Sequence, residues 1–297
     1  VLLSGGIARH TRPWLFVAPG LLVMAVIVGA PLAMAARYSL HEVFLYRFDQ
    51  QIFVGLENYG RALADPLFVN ALRVTTLFTL GNLAIAVGLG LLVAFVLSGK
   101  RVRLKTTWLA LFMVPFVMTP VVGGIAWRLF MWDPEFGVVN ALGGLFGLAP
   151  VYWLVERETA LLATIVANAW HLTPLAILVF YAALTTIPDE LYEAGRIDGA
   201  GPVQTLRHIV LPIVRPHLLF VSIIVMTSAF REFDMIFALT GGGPGRATTV
   251  LSVLAYNRGI ANQDMGMANT IAFTMFLIMA TVAWLYITLY RARFEPR

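Results

Sequence analysis

The chain has 297 residues, of which 59% are hydrophobic and only 12% are charged, with a net charge of +5. Soluble proteins carry about 25% charged residues, so the composition argues against a soluble enzyme, a disordered protein and a nucleic-acid binder. The absence of cysteine excludes disulfides and thiolate metal sites. The apolar residues come in long uncharged blocks, which predict a membrane protein.

Six apolar segments are long enough to cross a bilayer as helices, because about 20 residues at ~1.5 Å each span the ~30 Å hydrocarbon layer. In chain order the predicted spans are Pro13–Ala36, Val74–Ser98, Thr106–Trp127 with an extension to Trp132, Thr159–Pro188, Pro216–Thr240 and Met265–Tyr290. The first is too long for a signal peptide and no small-residue cleavage site follows it, so we expect it to be retained. The sequence predicts an all-α polytopic membrane protein with six transmembrane helices.

The distribution of basic residues predicts the orientation of these spans. With both termini inside, the inner segments hold twelve Lys and Arg residues, whereas the outer loops hold five together with nine acidic residues. We therefore expect both termini, and the loop 187–216, in the cytoplasm. Residues 1–70 then form a tail, the first span and the first outer loop, residues 71–290 form a core of five spans, and residues 291–297 form a second tail.

Motifs for chemistry are missing from the sequence. It has no Gly-x-x-x-x-Gly-Lys-Ser/Thr run, so we expect no phosphate-binding loop in this chain. The glycine-rich run Gly241–Gly245 lacks a lysine and is predicted to be a turn, since glycine adopts positive φ at no steric cost. The five histidines form no i,i+4 pair beside a carboxylate, and no nucleophile with a base is suggested. We predict neither catalytic nor metal-binding residues.

The loop 187–216 predicts two short helices. It begins Pro188-Asp189-Glu190, where proline suits the first helical turn and the acids suit the positive end of the helix dipole. The run Gly199–Pro202 breaks this helix, and a second is expected over Val203–Val210, ending before Pro212. Taken alone, the pattern also fits an amphipathic hairpin that only anchors the chain at the membrane surface.

The same loop is similar to the EAA loop of ATP-binding-cassette importer permeases. That pattern is Glu-Ala-Ala, three residues, Gly, nine residues, Ile, one residue and Leu-Pro, and this chain has Glu193-Ala194-Gly195, Gly199, Ile209 and Leu211-Pro212 at the same spacing. Gly195 replaces the second alanine and should loosen the first helix, because glycine costs roughly 1 kcal/mol of helix propensity. The resemblance implies contact with an ATPase through Glu193, Ala194, Gly195, Asp198, Gly199, Ala200, Ile209, Leu211 and Pro212.

Two further stretches resemble the larger permease subunit of carbohydrate importers. They are Phe230–Pro244 with Thr248–Leu251, and Phe53–Tyr59 with Asp65-Pro66. The resemblance implies a type I importer permease fold in a bacterial inner membrane and uptake of a carbohydrate or carbohydrate derivative. It implies a second permease subunit, two ATPase subunits that bind ATP and Mg, and a periplasmic or lipid-anchored substrate-binding protein. No cofactor in this chain and no nucleic-acid partner are expected.

Polar residues inside the predicted spans are candidates for a substrate cavity, because charges there cost about 2.5–3.5 kcal/mol on insertion scales unless they face protein or water. Arg231 and Asp234, three residues apart, could form an ion pair on one helix face or line the cavity. The amide, imidazole and hydroxyl groups of Asn168, His171 and Thr173 could hydrogen-bond neighbouring helices or bind sugar hydroxyls. The candidates are Asn168, Trp170, His171, Thr173, Arg231, Asp234, Asn269 and Phe273.

Two other functions compete with this interpretation. A stand-alone secondary transporter or channel would show an inverted repeat and acids placed for ion coupling, neither of which is clear here, and the EAA spacing has no place in it. An integral-membrane enzyme ranks third, because no catalytic constellation is visible in the sequence.

Overall fold

A computed structural model describes residues 17–99 and 102–294, with side chains up to Thr288. The regular secondary structure of the described residues is α-helical except for π turns, a short antiparallel pair, β1 (His41–Glu42) and β2 (Ile52–Phe53), and a 3₁₀ turn at Leu45–Arg47. The helices are α1 Val17–Ser39, α2 Glu57–Ala64, α3 Pro66–Ser98, α4 Lys105–Val117, α5 Pro120–Met131, α6 Val138–Leu145, α7 Arg157–Thr185, α8 Asp189–Ile197, α9 Pro202–Phe230, α10 Asp234–Thr240, α11 Leu251–Tyr256 and α12 Met265–Phe294.

Five of these helices, α1, α3, α7, α9 and α12, are long and apolar enough to cross a membrane. The bent pair α4 and α5 makes a sixth span if it is counted as one. The predicted all-α fold with six spans is therefore confirmed. The start of the first predicted span, residues 13–16, lies outside the described residues.

The third span is broken, where the sequence predicted one helix over Thr106–Trp127. Helices α4 and α5 meet at 98°, because Met118 and Thr119 are extended, with ψ of 144° and 145°. Pro120 follows them, and the ring of a proline disfavours helical backbone in the residue before it. The expectation of a continuous helix is wrong at this point.

The fifth span also differs from the predicted Pro216–Thr240. Helix α9 ends at Phe230, and α10 starts separately at Asp234. At its other end, α9 passes through Pro212, which the sequence predicted as a stop. A π turn over Leu206–Val210 shifts the hydrogen-bond register, so that the Leu211 N–H donates to the Leu206 carbonyl. This wider turn accommodates the missing N–H of proline.

The described residues divide into two compact units. One takes the residues up to Asp65 together with Ala255–Ile278, and the other takes Pro66–Leu254 and the residues from Met279 on. The segment boundaries at residues 70 and 290, which follow from the predicted topology of the spans, stay a prediction.

The core of the second unit is the packing of α3 against α7. Small residues let the two helices approach closely, as is usual for helices in membranes. A Cβ on Gly90 would lie 2.4 Å from the Ala176 Cβ, and one on Gly81 would lie 2.9 Å from Ile165 side-chain atoms. Helix α9 packs on the same pair. This frame positions the loop that follows α7.

Candidate coupling loop and polar residues of the spans

Helix α8 forms where the sequence predicted it. Pro188 is extended and serves as the N-cap, and Asp189 and Glu190 occupy the first turn. Arg196 lies in the last turn, so charges at both ends complement the helix dipole. Glu193 and Ala194 are exposed at the middle of the helix.

Helix α8 ends in a Schellman motif. Gly199 has φ of +77°, and its N–H donates to the Arg196 carbonyl at 3.1 Å. The Ala200 N–H reaches back to the Gly195 carbonyl at 2.8 Å. This pair of bonds satisfies carbonyls that the helix end leaves open, and it needs a left-handed residue at the position of Gly199. The predicted glycine turn is confirmed.

The next helix starts two residues later with its own cap. The Gly201 N–H donates to Oε1 of Gln204 at 2.8 Å, and the Thr205 N–H donates to the Gly201 carbonyl at 2.9 Å. Unlike Gly199, Gly201 has φ of −75°, which any residue can adopt. The turn is therefore built from local hydrogen bonds on both sides.

Gly195, which departs from the family pattern, lies against the second helix. A Cβ at this position would be 2.8 Å from Cδ1 of Ile209 and 3.8 Å from the Ala200 Cβ. The glycine thus lets the Ile209 side chain approach α8 closely. Gly195 and Ile209 are two positions of the EAA pattern, and the fold brings them together.

A cavity of about 570 Å³ lies beneath α8, between it, the start of α9 and the ends of α3 and α7. Burial, and to a smaller degree the charge of Asp189, raise the pKa of the Tyr192 hydroxyl in its wall, so this group stays protonated at neutral pH. The walls include Phe95, Ser98, Tyr192, Glu193, Arg196 and Thr205. None of the eight candidate substrate residues lines this cavity.

Asn168 is fully buried between two spans. Its Nδ2 donates to Oδ1 of Asn82 at 2.8 Å, and Nδ2 of Asn82 donates to the Phe78 carbonyl at 2.8 Å. This chain of bonds joins α7 to α3 and favours the interpretation of Asn168 as a helix–helix contact. The Thr173 hydroxyl donates to the Ala169 carbonyl at 2.6 Å, within its own helix.

His171 lies at the break of the third span. Its Nδ1 is 2.8 Å from the Pro115 carbonyl oxygen. In a continuous helix that carbonyl would accept the N–H of Thr119, but Thr119 is extended, so the imidazole replaces the lost partner. Trp170 directly precedes His171 in α7, and its ring meets the Trp127 ring edge-on, with 5.7 Å between the ring centroids.

Arg231 and Asp234 do not share a helix. Arg231 follows the last residue of α9, and Asp234 opens α10. Both are exposed, and among the described residues no ion pair joins them, so the predicted i,i+3 pair is wrong. Glu232 lies between them, and its Oε1 accepts the Met235 N–H at 2.9 Å, which caps the start of α10.

The last two candidates belong to the first unit. Nδ2 of Asn269 donates to the Met265 carbonyl at 2.8 Å within α12. The Phe273 ring lies 5.9 Å from the Phe276 ring. Both contacts are local to their helix.

Sequence reasoning missed two features of this region. Asn82, the partner of Asn168, is the only asparagine in the predicted span Val74–Ser98. The helix break was signalled by two prolines five residues apart, Pro115 and Pro120. Within the described part of the chain, no group of three or more His, Asp or Glu side chains could hold a metal ion.

Comparison with known proteins identifies the family. Residues 86–297 match the family described as "Binding-protein-dependent transport system inner membrane component". The chain belongs to this family. The permease is thus a multi-pass inner-membrane subunit of an ABC importer, and it is not itself an enzyme.

Its curated relatives match over almost their whole length. The permease is 32% identical to the trehalose/maltose transport system permease protein of Thermococcus litoralis, over 94% of each chain. It is 31% identical to the sn-glycerol-3-phosphate transport system permease protein of Agrobacterium fabrum, over 96% of this chain and 94% of the relative. Among solved structures, a bacterial ABC transporter that imports the acidic polysaccharide alginate has a TM-score of 0.76 at 20% identity, covering 98% of this chain and 99% of that one. This likeness shows the ABC importer permease fold.

Proposed function

We propose that the permease carries a carbohydrate or carbohydrate derivative into the cytoplasm. Its relatives are named for trehalose and maltose, for arabinooligosaccharides and for sn-glycerol-3-phosphate. A structural neighbour was solved with an alginate pentasaccharide-bound periplasmic protein. By this proposal the permease pairs with a second permease subunit and with two ATPases that bind ATP and Mg. A periplasmic or lipid-anchored binding protein delivers the substrate.

The coupling part of the proposal rests on the geometry of the loop 187–216. Helix α8 is short, ends in a Schellman motif, and exposes Glu193 at its centre. A carboxylate presented in this way can pair with a basic residue in a cleft of the ATPase. A charge-assisted hydrogen bond of this kind contributes roughly 1.5–3 kcal/mol. The ATPase would then move α8 as a lever, and through it the adjoining spans α7 and α9.

The orientation follows from the basic residues. The twelve-to-five excess supports a cytoplasmic position for both termini and for α8. Cysteine introduced at Glu158, at the start of α7, should react with an impermeant reagent from outside. Cysteine at Arg207 should react only after permeabilisation, and the reverse labelling would contradict the orientation.

The substrate path, in this proposal, passes the two helix breaks. Non-helical backbone at membrane depth is tolerated where it is buried in protein or lines a water-filled cavity. The exposed charged residues Arg231 and Asp234 lie at the break between α9 and α10. His171 contacts the break between α4 and α5 through the Pro115 carbonyl. Arg231→Ala should therefore raise the KM for uptake while the assembled complex persists. Loss of the complex instead would mean that Arg231 serves structure alone.

Reconstitution tests the proposal as a whole. Proteoliposomes with the permease, its partner permease, two ATPases and the loaded binding protein should take up sugar and hydrolyse ATP. The purified permease alone should do neither. Uptake by the permease alone, driven by an ion gradient, would support the stand-alone transporter and overturn the proposal.

A further inference from the structure

The loop between α5 and α7 has an unusual composition. Residues 136–155 contain no Asp, Glu, Lys or Arg. Charges stand only at its two ends, with Asp133 and Glu135 before it and Glu156, Arg157 and Glu158 after it. A loop that faces water is expected to be polar. The 20 uncharged residues therefore need another environment.

The loop has a defined structure. Helix α6 ends at Leu145, and Gly147, which follows the C-cap residue Phe146, has φ of +74°. The Gly147 N–H donates to the Gly144 carbonyl at 3.0 Å, and the Leu148 N–H donates to the Gly143 carbonyl at 3.1 Å. This is a Schellman motif, and it turns the chain sharply. Residues 145–148, at the end of α6 and in this turn, are called the apolar knob.

The amide of Asn140 ties the returning chain to α6. Its Nδ2 donates to the carbonyls of Pro134 at 3.2 Å and Val151 at 3.0 Å. Its Oδ1 accepts the Val151 N–H at 3.1 Å and the Trp153 indole N–H at 2.9 Å. All four hydrogen bonds that an amide can make are used. The Asn140 amide is thus fully hydrogen-bonded within the loop, and it holds the returning chain at Val151 and Trp153 against α6.

The apolar side chains of the knob are largely exposed. The exposed fraction is 80% for Leu145, 82% for Phe146 and 66% for Leu148. A second loop lies at the same end of α7 and provides a comparison. Its Gly245 carbonyl accepts a hydrogen bond from Arg157, the first residue of α7. That loop, residues 241–250, exposes no large apolar side chain. The two loops at this end of α7 therefore differ in the apolar area that they expose.

We propose that the apolar knob inserts into the interfacial layer of the bilayer. Its loop begins and ends at the membrane spans α5 and α7, so it lies at the bilayer surface. It carries no charge of its own, whereas the charged residues at its base suit the headgroup region. Tyr152 and Trp153 follow the knob in the same uncharged loop, and such aromatic side chains favour the membrane–water interface. Insertion covers apolar area that no described residue of this unit covers.

The absence of cysteine makes this proposal directly testable. Single cysteines at Phe146 and, as the control, at Glu135 would carry an environment-sensitive fluorophore in the full-length permease. Both sites are exposed, so neither change disturbs the core. The samples would be nanodiscs of phosphatidylcholine with nitroxide lipids labelled at shallow and deep positions.

We expect the probe at Phe146 to show blue-shifted emission and quenching by the shallow nitroxide several-fold above that at Glu135. Because the knob is uncharged, adding anionic lipid should not change the quenching. Equal water exposure at the two sites would overturn the proposal. Shielding of Phe146 only after addition of the loaded binding protein or the partner permease would also overturn it, and would make the knob a protein-docking surface.

Discussion

The two loops at opposite ends of α7 share one backbone device and differ in chemistry. The candidate coupling loop, residues 187–216, turns at Gly199, and the apolar knob turns at Gly147. The two glycines have φ of +77° and +74°, and the two turns share the same pair of reverse hydrogen bonds. Around Gly199 the exposed residues include the charged Arg196 and Asp198 beside the apolar Ile197, whereas around Gly147 they are leucine and phenylalanine. The glycine thus determines the turn, and the neighbouring side chains determine what it can contact.

The shortness of α6 and α8 explains why both helices end in a Schellman motif. A helix leaves its last carbonyls unpaired, and in a loop of few residues the chain itself must satisfy them. Helix α8 adds charges that match its dipole, with Asp189 in the first turn and Arg196 in the last. Helix α6 has no charge in either turn. We therefore expect α8 to meet a charged protein surface and α6 to meet lipid.

The largest effect should come from breaking the turn of the coupling loop. Gly199→Asp places a side chain at positive φ, which costs roughly 1–2 kcal/mol, and it adds a charge to the loop that we propose contacts the ATPase. Transport in proteoliposomes should fall nearly to background while membrane insertion persists. Gly201→Ala is the matched control, because Gly201 has negative φ and should keep normal transport. Equal transport by the two variants would show that the turn is unimportant.

A second prediction separates structure from substrate binding within the spans. Asn168→Ala leaves Oδ1 of the buried Asn82 without its donor, which costs about 1–3 kcal/mol. The yield of folded permease and its melting temperature should both fall. Thr173→Ala, whose hydroxyl bonds only its own helix, should change neither. Normal stability of Asn168→Ala with a raised KM for uptake would instead assign Asn168 to the substrate path.

The apolar knob should give a smaller effect. Phe146→Asp places a charge at the membrane interface, where charged residues cost about 1 kcal/mol or less. The melting temperature in nanodiscs should fall by a few degrees, and transport per complex should persist. Glu135→Asn, at the base of the loop, serves as the control and should have no effect. A complete loss of transport by Phe146→Asp at normal stability would point to a protein partner.

The smallest effect is expected at Gly195. Alanine restores the family residue and gains roughly 1 kcal/mol of helix propensity, but its Cβ requires the end of the Ile209 side chain to move. Because that end is flexible, the two effects should nearly cancel, and both transport and ATPase activity should stay close to wild type. A large loss in both would show that α8 and Ile209 cannot separate at all.

Sequence predicted the features that depend on local chemistry. The spans follow from uncharged length, and the coupling loop follows from Pro188, the acids after it and Gly199. Sequence reasoning failed where two effects compete. Pro120 follows the end of α4 at Val117 and breaks that span, whereas α9 continues through Pro212 by means of a π turn. Sequence reasoning also could not pair Asn168 with Asn82, since the register of two packed helices depends on the whole interface.

Glu193 tests the coupling account most directly. The permease would be reconstituted with its partner subunits, and sugar uptake and binding-protein-stimulated ATPase activity would be measured for Glu193→Ala and, as the control on the same helix, Glu190→Ala. We predict about a 10- to 100-fold loss of uptake for Glu193→Ala, as expected from losing roughly 1.5–3 kcal/mol, with ATPase activity reduced or insensitive to the loaded binding protein. Glu190→Ala should remain close to wild type. Wild-type uptake and stimulated hydrolysis in Glu193→Ala would contradict the account and leave the loop as an anchor.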